Sequence, residues 1–334
     1  MQAVVQHSTT SSRVGVALSI LTLTILAFAP LFTGRAELRL LSEVFAYVAL
    51  ASLWNLLAGY AGLMSVGQQA YVGLGAYVTF WLSIVFGVPP FLAALLSAVA
   101  AAIVSLPVAW LIFRLRGHYF AIGTWVIAEV FRLVAAQTSS LGGGSGISLP
   151  VTVIQALAPT RTMRELLFYF LSLGVMTAVL LAIILLLRSR HGLALAAIRD
   201  NETAARTSGV DVNKLKLSIY IGVAFGTALV GALIFLQKLR ISPETAFSVN
   251  DWAAFIIFIV TIGGIGRVEG PIIGTIVFFL LREFLADLGT TYLIVLGIMA
   301  IAVMIIAPQG LWGFVANRFG WQAFPLARRL TMRP

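Results

Sequence analysis

The chain has 334 residues, of which 60% are hydrophobic and 10% are charged, and its formal net charge is +10. Soluble domains are about 45–50% apolar and about 25% charged, and a water-soluble fold of this length cannot bury the excess apolar surface. The composition therefore indicates an integral membrane protein and excludes intrinsic disorder. The absence of cysteine excludes disulfides, thiolate zinc sites and cysteine nucleophiles. The positive charge fits cytoplasmic loops better than nucleic-acid binding.

The first third of the chain contains four predicted membrane spans. Residues 1–13 are polar, and residues 14–32 then carry no charge over 19 positions. Residues 27–29 are similar to a signal-peptidase site, but Pro30 and the length of the apolar run favour an uncleaved span. Residues 44–113 hold no Lys, Arg, Asp or Glu, and a single helix over them would be roughly three times as long as the apolar thickness of a bilayer. Glycine and proline breaks predict three spans here, at 42–59, 63–86 and 90–113.

Six further spans are predicted in the rest of the chain. Residues 138–164 are rich in glycine and serine, and residues 188–216 hold nine charges, so both are predicted loops. Gly263–Gly266 interrupts an apolar run and predicts a tight turn at 263–270. The six spans are 119–137, 166–187, 217–237, 252–266, 270–281 and a last one from 288 to near Pro308. The prediction is an all-α polytopic protein with about ten transmembrane helices in one domain, residues 1–334.

Ten spans place both termini on the same side of the membrane. With cytoplasmic termini, 14 of the 22 Lys and Arg residues fall in cytoplasmic segments, 6 fall outside and two lie in spans. Positive charge is retained on the cytoplasmic side, so the N-in, C-in orientation is favoured. The tails 1–13 and 318–334 and the loop 188–216 are then cytoplasmic, whereas 138–164 and 238–251 are external.

A helix is predicted in the charged cytoplasmic loop. Residues 193–208 are rich in alanine and leucine, which favour helix, and Gly209 is placed to end it. Arg199 with Glu202, and Glu202 with Arg206, have the spacing of supporting ion pairs. The apolar face of the helix consists of Leu193, Ala194, Ala197 and Ile198, and the charges beside it are Arg199, Asp200 and Glu202. The helix is either a solvated loop element or a docking element whose small residues admit a partner.

Six further blocks carry a family pattern in a fixed order, between about residues 40 and 310. They are Gly59–Gly67, Gly73–Tyr77, Leu115–Gly123, Ala128–Arg132, Gly142–Gly146 and Gly263–Gly274. Together with the loop helix, they resemble the permeases of ABC importers for branched-chain amino acids, specifically the M-type subunit. The chain departs from that family at Gln68–Tyr71, where a histidine usually comes first, and at His118, where an acidic residue is favoured.

The resemblance implies a division of labour among subunits. Such a permease pairs with a second, H-type permease, two cytoplasmic ATPase subunits and an external substrate-binding protein, in the inner membrane. The loop helix would then dock on an ATPase. The chain itself has no Gly-x-x-x-x-Gly-Lys-Ser/Thr phosphate loop, so it is not expected to be an enzyme or to bind ATP or another cofactor. Its three histidines have no metal-ligand spacing, and neither a catalytic nor a metal site is predicted.

Polar residues inside the spans are candidates for the substrate pathway, because such groups are costly in lipid and usually face protein or water. The candidates are Asn55, Gln68, Gln69, Tyr71 and Glu129. Glu129 and Arg132, at i,i+3, form either a structural pair or a polar point on the pathway. The uncharged residues either bind polar groups of the substrate or tie helices together. Gly222 and Gly226 form a Gly-x-x-x-Gly pattern, followed by Gly231, that allows close helix packing.

The resulting hypothesis is a permease for a small, mainly hydrophobic amino acid. The alternative substrates are urea and short amides, whose importers have closely similar permeases. An ion-coupled secondary transporter is a second class, disfavoured because Glu129 is the one convincing acid at membrane depth. An intramembrane enzyme is disfavoured because no catalytic constellation is present.

Overall fold

Helices make up nearly all of the part of the chain that the structure describes. The structure is a computed structural model and describes residues 2–6, 10–285, 291–307, 309–319, 324 and 329–333. The helices of the first half are α1 (Thr10–Phe28), α2 (Arg35–Asn55), α3 (Gln68–Val85), α4 (Pro90–Ile112), α5 (His118–Gln137), α6 (Val151–Leu157) and α7 (Arg161–Arg188). Those of the second half are α8 (Arg190–Asp200), α9 (Glu202–Thr207), α10 (Val212–Lys238), α11 (Pro243–Ala246), α12 (Phe255–Gly263), α13 (Glu269–Phe284), α14 (Tyr292–Ile306) and α15 (Gly310–Phe319).

Each of the ten predicted spans coincides with a helix, so the all-α polytopic fold is confirmed. Within the part of the chain that the structure describes, eight helical segments are long and apolar enough to cross a membrane. The other two predicted spans correspond to α3, which begins with two glutamines, and to α13, which has only 16 residues. The predicted start of the last span at 288 lies outside the described residues, as do parts of both predicted tails. Helix α14 ends at Ile306, close to the predicted end near Pro308.

Short strands show which loops share an end of the bundle. The strands are β1 (Gln2–Gln6), β2 (Ile147–Ser148), β3 (Arg240–Ile241) and β4 (Arg329–Arg333). The antiparallel pairing of β2 with β3 brings the two predicted external loops together at what we call the β2–β3 end. Helix α8 lies at the opposite end, the α8 end, where it packs against residues 56–60. The strands at the two chain ends, β1 and β4, also pair with each other.

The core forms where α10 meets α2, α3 and α4. Glycine allows the backbones of α3 and α10 to touch: a Cβ at Gly75 would lie 2.1 Å from the carbonyl oxygen of Ala228, and one at Gly231 would lie 2.4 Å from that of Val72. In the Gly-x-x-x-Gly pattern, Gly226 faces a leucine side chain of α2, whereas a Cβ at Gly222 would have no neighbour within 4 Å. Two of the three glycines therefore serve packing within this chain.

The predicted turn at 263–270 joins α12 and α13 into a tight antiparallel hairpin. Gly264 has φ +127° and Gly266 has φ +73°, values that favour glycine. A Cβ at Gly263 would lie 1.8 Å from the carbonyl oxygen of Gly270, and one at Gly274 would lie 1.9 Å from that of Ile259. These glycines are therefore required by the contact between the two helices.

The predicted single helix at 193–208 is wrong, because the chain breaks at Asn201 into α8 and α9. Asn201 is extended, with φ −160° and ψ 108°, and its Oδ1 accepts a hydrogen bond from the Ala204 N–H at 3.0 Å as the N-cap of α9. The break removes the helical spacing on which the predicted Arg199–Glu202 pair depended. Gly209, with φ +87°, follows the end of α9 as predicted.

Candidate functional site

The most unusual feature of the bundle is that α3 begins halfway through it. After α2, residues 56–60 form one π-helical turn, the chain reverses at Gly62 with φ +70°, and a non-helical segment returns into the bundle. The Trp54 indole N–H donates to the Ser65 carbonyl at 2.7 Å, and the Val66 N–H donates to Thr124 Oγ1 at 3.0 Å. These contacts hold the returning segment, residues 61–67, inside the protein.

The position of Gln68 shows how deep the first turn of α3 lies. Its Nε2 donates to the Leu50 carbonyl at 3.1 Å and to Thr227 Oγ1 at 3.3 Å. Leu50 is near the middle of α2 and its π-helical extension, and Thr227 is near the middle of α10. The predicted start of this span at 63 is therefore corrected to 68. The physical consequence is a helix N-terminus, with its positive dipole end, in the interior of the bundle.

Gln68 and Gln69 are both buried, but their amides differ in how they are bonded. The Nε2 of Gln68 is bonded, as described above, whereas its Oε1 has no hydrogen-bond partner among the described residues. Gln69 is 1% exposed, and neither its Oε1 nor its Nε2 has a partner there. Buried polar groups in proteins are usually hydrogen-bonded, so the Gln69 side chain stands out as a buried amide without a hydrogen-bond partner among these residues.

Two other candidates, Asn55 and Tyr71, make contacts between helices. Asn55 Nδ2 donates to the Arg267 carbonyl at 2.8 Å, and its Oδ1 accepts from the Gly266 N–H at 2.8 Å. Asn55 thus ties α2 to the turn between α12 and α13. The Tyr71 hydroxyl donates to that of Tyr220 on α10 at 2.9 Å. Of the five pathway candidates, Gln69 is the one whose polar side-chain atoms all lack a hydrogen-bond partner among the described residues.

Glu129 and Arg132 form the predicted i,i+3 pair near the β2–β3 end. Arg132 Nε lies 2.9 Å from Glu129 Oε1, and its Nη1 lies 2.7 Å from Glu244 Oε1 on α11. The Glu129 side chain is 43% exposed and that of Arg132 is 25% exposed. Sequence reasoning missed Glu244, because it lies 112 residues away from Arg132. The pair therefore links α5 to α11 rather than standing alone in a span.

Arg132→Ala is expected to destabilise the protein by about 1 kcal/mol, because it breaks the contacts to both Glu129 and Glu244. This value is the upper end of the stabilisation that exposed ion pairs provide. Glu129→Ala is expected to cost less, because Arg132 keeps Glu244. Melting temperatures of the two variants and of the double variant measure this order. If Glu129→Ala abolishes transport while assembly is unchanged, Glu129 belongs to the pathway and the structural interpretation fails.

Helix α8, the first part of the predicted loop helix, places some of its apolar residues in the core and others on the surface. Leu195 and Ile198 are buried in this chain, Ala194 is half-buried, and Leu193 and Ala197 are exposed. The predicted apolar face is therefore corrected: Ile198 belongs to the core and Leu195 anchors the helix beside it. Of the predicted coupling residues on α8, Leu193, Ala197, Arg199 and Asp200 are exposed and available to a partner.

Charged contacts position α8 and α9 at the end of the bundle. Arg199 Nη1 lies 3.4 Å from the position of a Cβ on Gly266, which places α8 beside the α12–α13 turn. Glu202 accepts from Lys216 Nζ at 2.7 Å and from Arg206 Nη2 at 2.8 Å. The hydrogen bond from Lys216 lowers the pKa of the Glu202 carboxyl below its usual value, so this ion pair persists at neutral pH. The sequence did not identify Lys216 as a partner of Glu202, because the two residues lie 14 positions apart and belong to different helices.

Comparison with known proteins matches the sequence of this chain to a transport family. The profile of the family described as "Branched-chain amino acid transport system / permease component" matches residues 38–307. The high-affinity branched-chain amino acid transport system permease protein LivM of Escherichia coli is 28% identical over 321 residues, covering 88% of this chain and 74% of LivM.

Two more distant relatives broaden the comparison. The probable branched-chain amino acid transport permease protein LivH of Methanocaldococcus jannaschii is 29% identical over 264 residues, covering 74% of this chain and 82% of LivH. The fructose import permease protein FrcC of Rhizobium meliloti is 25% identical over 318 residues, covering 90% of this chain and 87% of FrcC. No solved structure matches the chain. Because the family profile spans most of the sequence, the chain belongs to the family of branched-chain amino acid transport system permease components.

Proposed function

We propose that this chain is the transmembrane permease subunit of an ATP-driven ABC importer, and that it moves branched-chain or other hydrophobic amino acids into the cell. The observation that supports this function best is the start of α3 at Gln68, deep in the bundle and beside the Gln69 amide, which has no partner among the residues that the structure describes. In transporters, broken helices of this kind direct their N-termini at anionic groups of the substrate. An amino-acid carboxylate is such a group, and an apolar surrounding suits an apolar side chain.

The energy for transport would come from partner subunits that act on α8. Its exposed residues Leu193 and Ala197 offer a small apolar surface flanked by Arg199 and Asp200, and exposed apolar surface on such an element favours a protein partner. A push on α8 would reach residues 56–60, which it contacts. The complex we propose contains this chain, an H-type permease, two cytoplasmic ATPases that bind ATP, and an external binding protein, in the inner membrane.

ATP-dependent uptake of labelled leucine, isoleucine and valine into proteoliposomes containing the whole complex tests the proposed function. We expect uptake that vanadate inhibits and that a protonophore leaves unchanged. Ion-coupled transport predicts uptake that a protonophore inhibits and that vanadate leaves unchanged. The structure argues against this class, because Glu129 is partly exposed and paired with Arg132, whereas a proton-coupling acid is expected at membrane depth. Urea, a short amide and fructose serve as competing substrates. Uptake of one of these without any branched-chain amino acid would contradict the proposed substrate class.

The orientation of the chain can be tested by labelling, because the chain has no cysteine of its own. We expect a cysteine at Ser208, which follows α9 at the α8 end, to react with an impermeant thiol reagent only after cells are opened. A cysteine at Ser145, beside β2 at the opposite end, is the matched control and is expected to react in intact cells. Labelling of the Ser208→Cys variant from outside would reverse the proposed N-in, C-in topology.

A further inference from the structure

One face of α3 carries polar atoms that no part of the fold explains. Gln69, Gly73 and Tyr77 lie at i, i+4 and i+8, and therefore on the same side of the helix. Gln69 is 1% exposed and Tyr77 is 6% exposed. Both amide atoms of Gln69 and the hydroxyl of Tyr77 lack a hydrogen-bond partner among the described residues. Leucine and phenylalanine would fill the same space without this cost of desolvation, so the structure alone gives no reason for the polar groups.

The ring of Phe247 packs on the middle of this face, at Gly73 and against Tyr77. A Cβ on Gly73 would lie 2.3 Å from Cε1 of Phe247, so the ring rests directly on the Gly73 backbone. The ring centroids of Tyr77 and Phe247 are 5.7 Å apart. Phe247 follows α11 in the segment between β3 and α12, and Glu244 of α11 is held by Arg132. An aromatic side chain from the β2–β3 end thus packs on this face of α3, over Gly73 and beside Tyr77.

We propose that Gln69 and Tyr77 form a subsite for the polar groups of an α-amino acid, and that Phe247 occupies and closes this subsite in the present conformation. The inference rests on the proposed function and specifies its substrate site. The Gln69 amide and the positive end of α3 would bind the carboxylate, and the Tyr77 hydroxyl would accept a hydrogen bond from the ammonium group. Gly73 leaves the space that the ring of Phe247 now fills, so an apolar substrate side chain can take its place.

Gln69→Leu and Tyr77→Phe separate a binding role from a structural one. Each change removes polar atoms that have no partner here and keeps the shape of the side chain. We expect the melting temperature of the complex to stay the same or rise, while the KM for leucine uptake rises about tenfold or more, because substrate groups lose their partner. The matched control is Gln237→Leu, the same change on α10, where a buried Nε2 also lacks a partner within the described part of the chain. That control is expected to leave both measurements unchanged.

The outcomes distinguish this inference from the proposed function. If the wild-type complex transports no branched-chain amino acid, the proposed function fails. If it does transport them and Gln69→Leu has the KM of Gln237→Leu, the subsite is wrong while the function stands. A lower melting temperature for Gln69→Leu would assign Gln69 a structural role and would also overturn the subsite.

Thiol labelling tests the covering role of Phe247. In this cysteine-free chain, a cysteine at Gln69 is expected to be unreactive towards an external reagent while Phe247 is present. The added change Phe247→Ala, or Phe247→Leu if the first variant fails to assemble, is expected to expose that cysteine. Leucine is expected to protect it. Equal reactivity with and without the Phe247 ring would show that this side chain does not close the site.

Discussion

Gly75→Ala is expected to give the largest loss of folded protein among single methyl additions in the α3–α10 contact. The new Cβ would lie 2.1 Å from the Ala228 carbonyl oxygen and 2.6 Å from its Cα, so one backbone must move. Helix α3 cannot retreat freely, because Thr79 on it donates to Ser97 of α4 at 3.0 Å. Overpacking of this kind costs about 1–3 kcal/mol or more, and close packing of small residues is what joins helices in a membrane.

Gly222→Ala is the matched control, because it is the same change on α10 at a site with no neighbour within 4 Å. The alanine is expected to be neutral or to stabilise the helix by up to about 1 kcal/mol through its higher helix propensity. Expression yield and melting temperature of the purified complex measure both variants. Equal values for Gly75→Ala and Gly222→Ala would show that α3 and α10 do not touch as the structure describes.

Ala197→Asp is expected to reduce uptake by at least tenfold while the permease itself stays folded. Ala197 is exposed on α8, so the chain alone accommodates a carboxylate there. In the proposed complex, an ATPase covers this surface, and an unpaired charge buried in such a contact costs several kcal/mol. The variant is therefore expected to lose the ATPases during purification and to lose substrate-stimulated ATP hydrolysis.

Arg206→Ala is the control for the coupling surface. Arg206 pairs with Glu202 at 2.8 Å, and the side chains are 50% and 43% exposed, so the pair contributes only about 0.2–0.5 kcal/mol. Uptake is expected to change little. If Ala197→Asp retains the ATPases and their stimulated hydrolysis as Arg206→Ala does, α8 is not the coupling element.

The sequence by itself determined the class of fold and the location of the helices. Long uncharged runs must form helices in lipid, because no water is present to satisfy the backbone, and this reason holds regardless of tertiary contacts. Local sequence signals were also sufficient to predict the turn at 263–270, the end of α9 at Gly209 and the pairing of Glu129 with Arg132. Each of these depends on residues within about one helical turn or on the conformational freedom of glycine.

Only the tertiary structure decided which of the polar candidates lacks hydrogen-bond partners among the described residues. Asn55 is bonded to the backbone of residues 266–267, while the amide of Gln69 has no hydrogen-bond partner among the described residues. The start of α3 at Gln68, the burial of Ile198 and the position of Phe247 over Gly73 were equally hidden from the sequence. Each is fixed by packing between segments that are far apart in the chain. Hydropathy and helical spacing contain information only about the neighbours of a residue along its own helix.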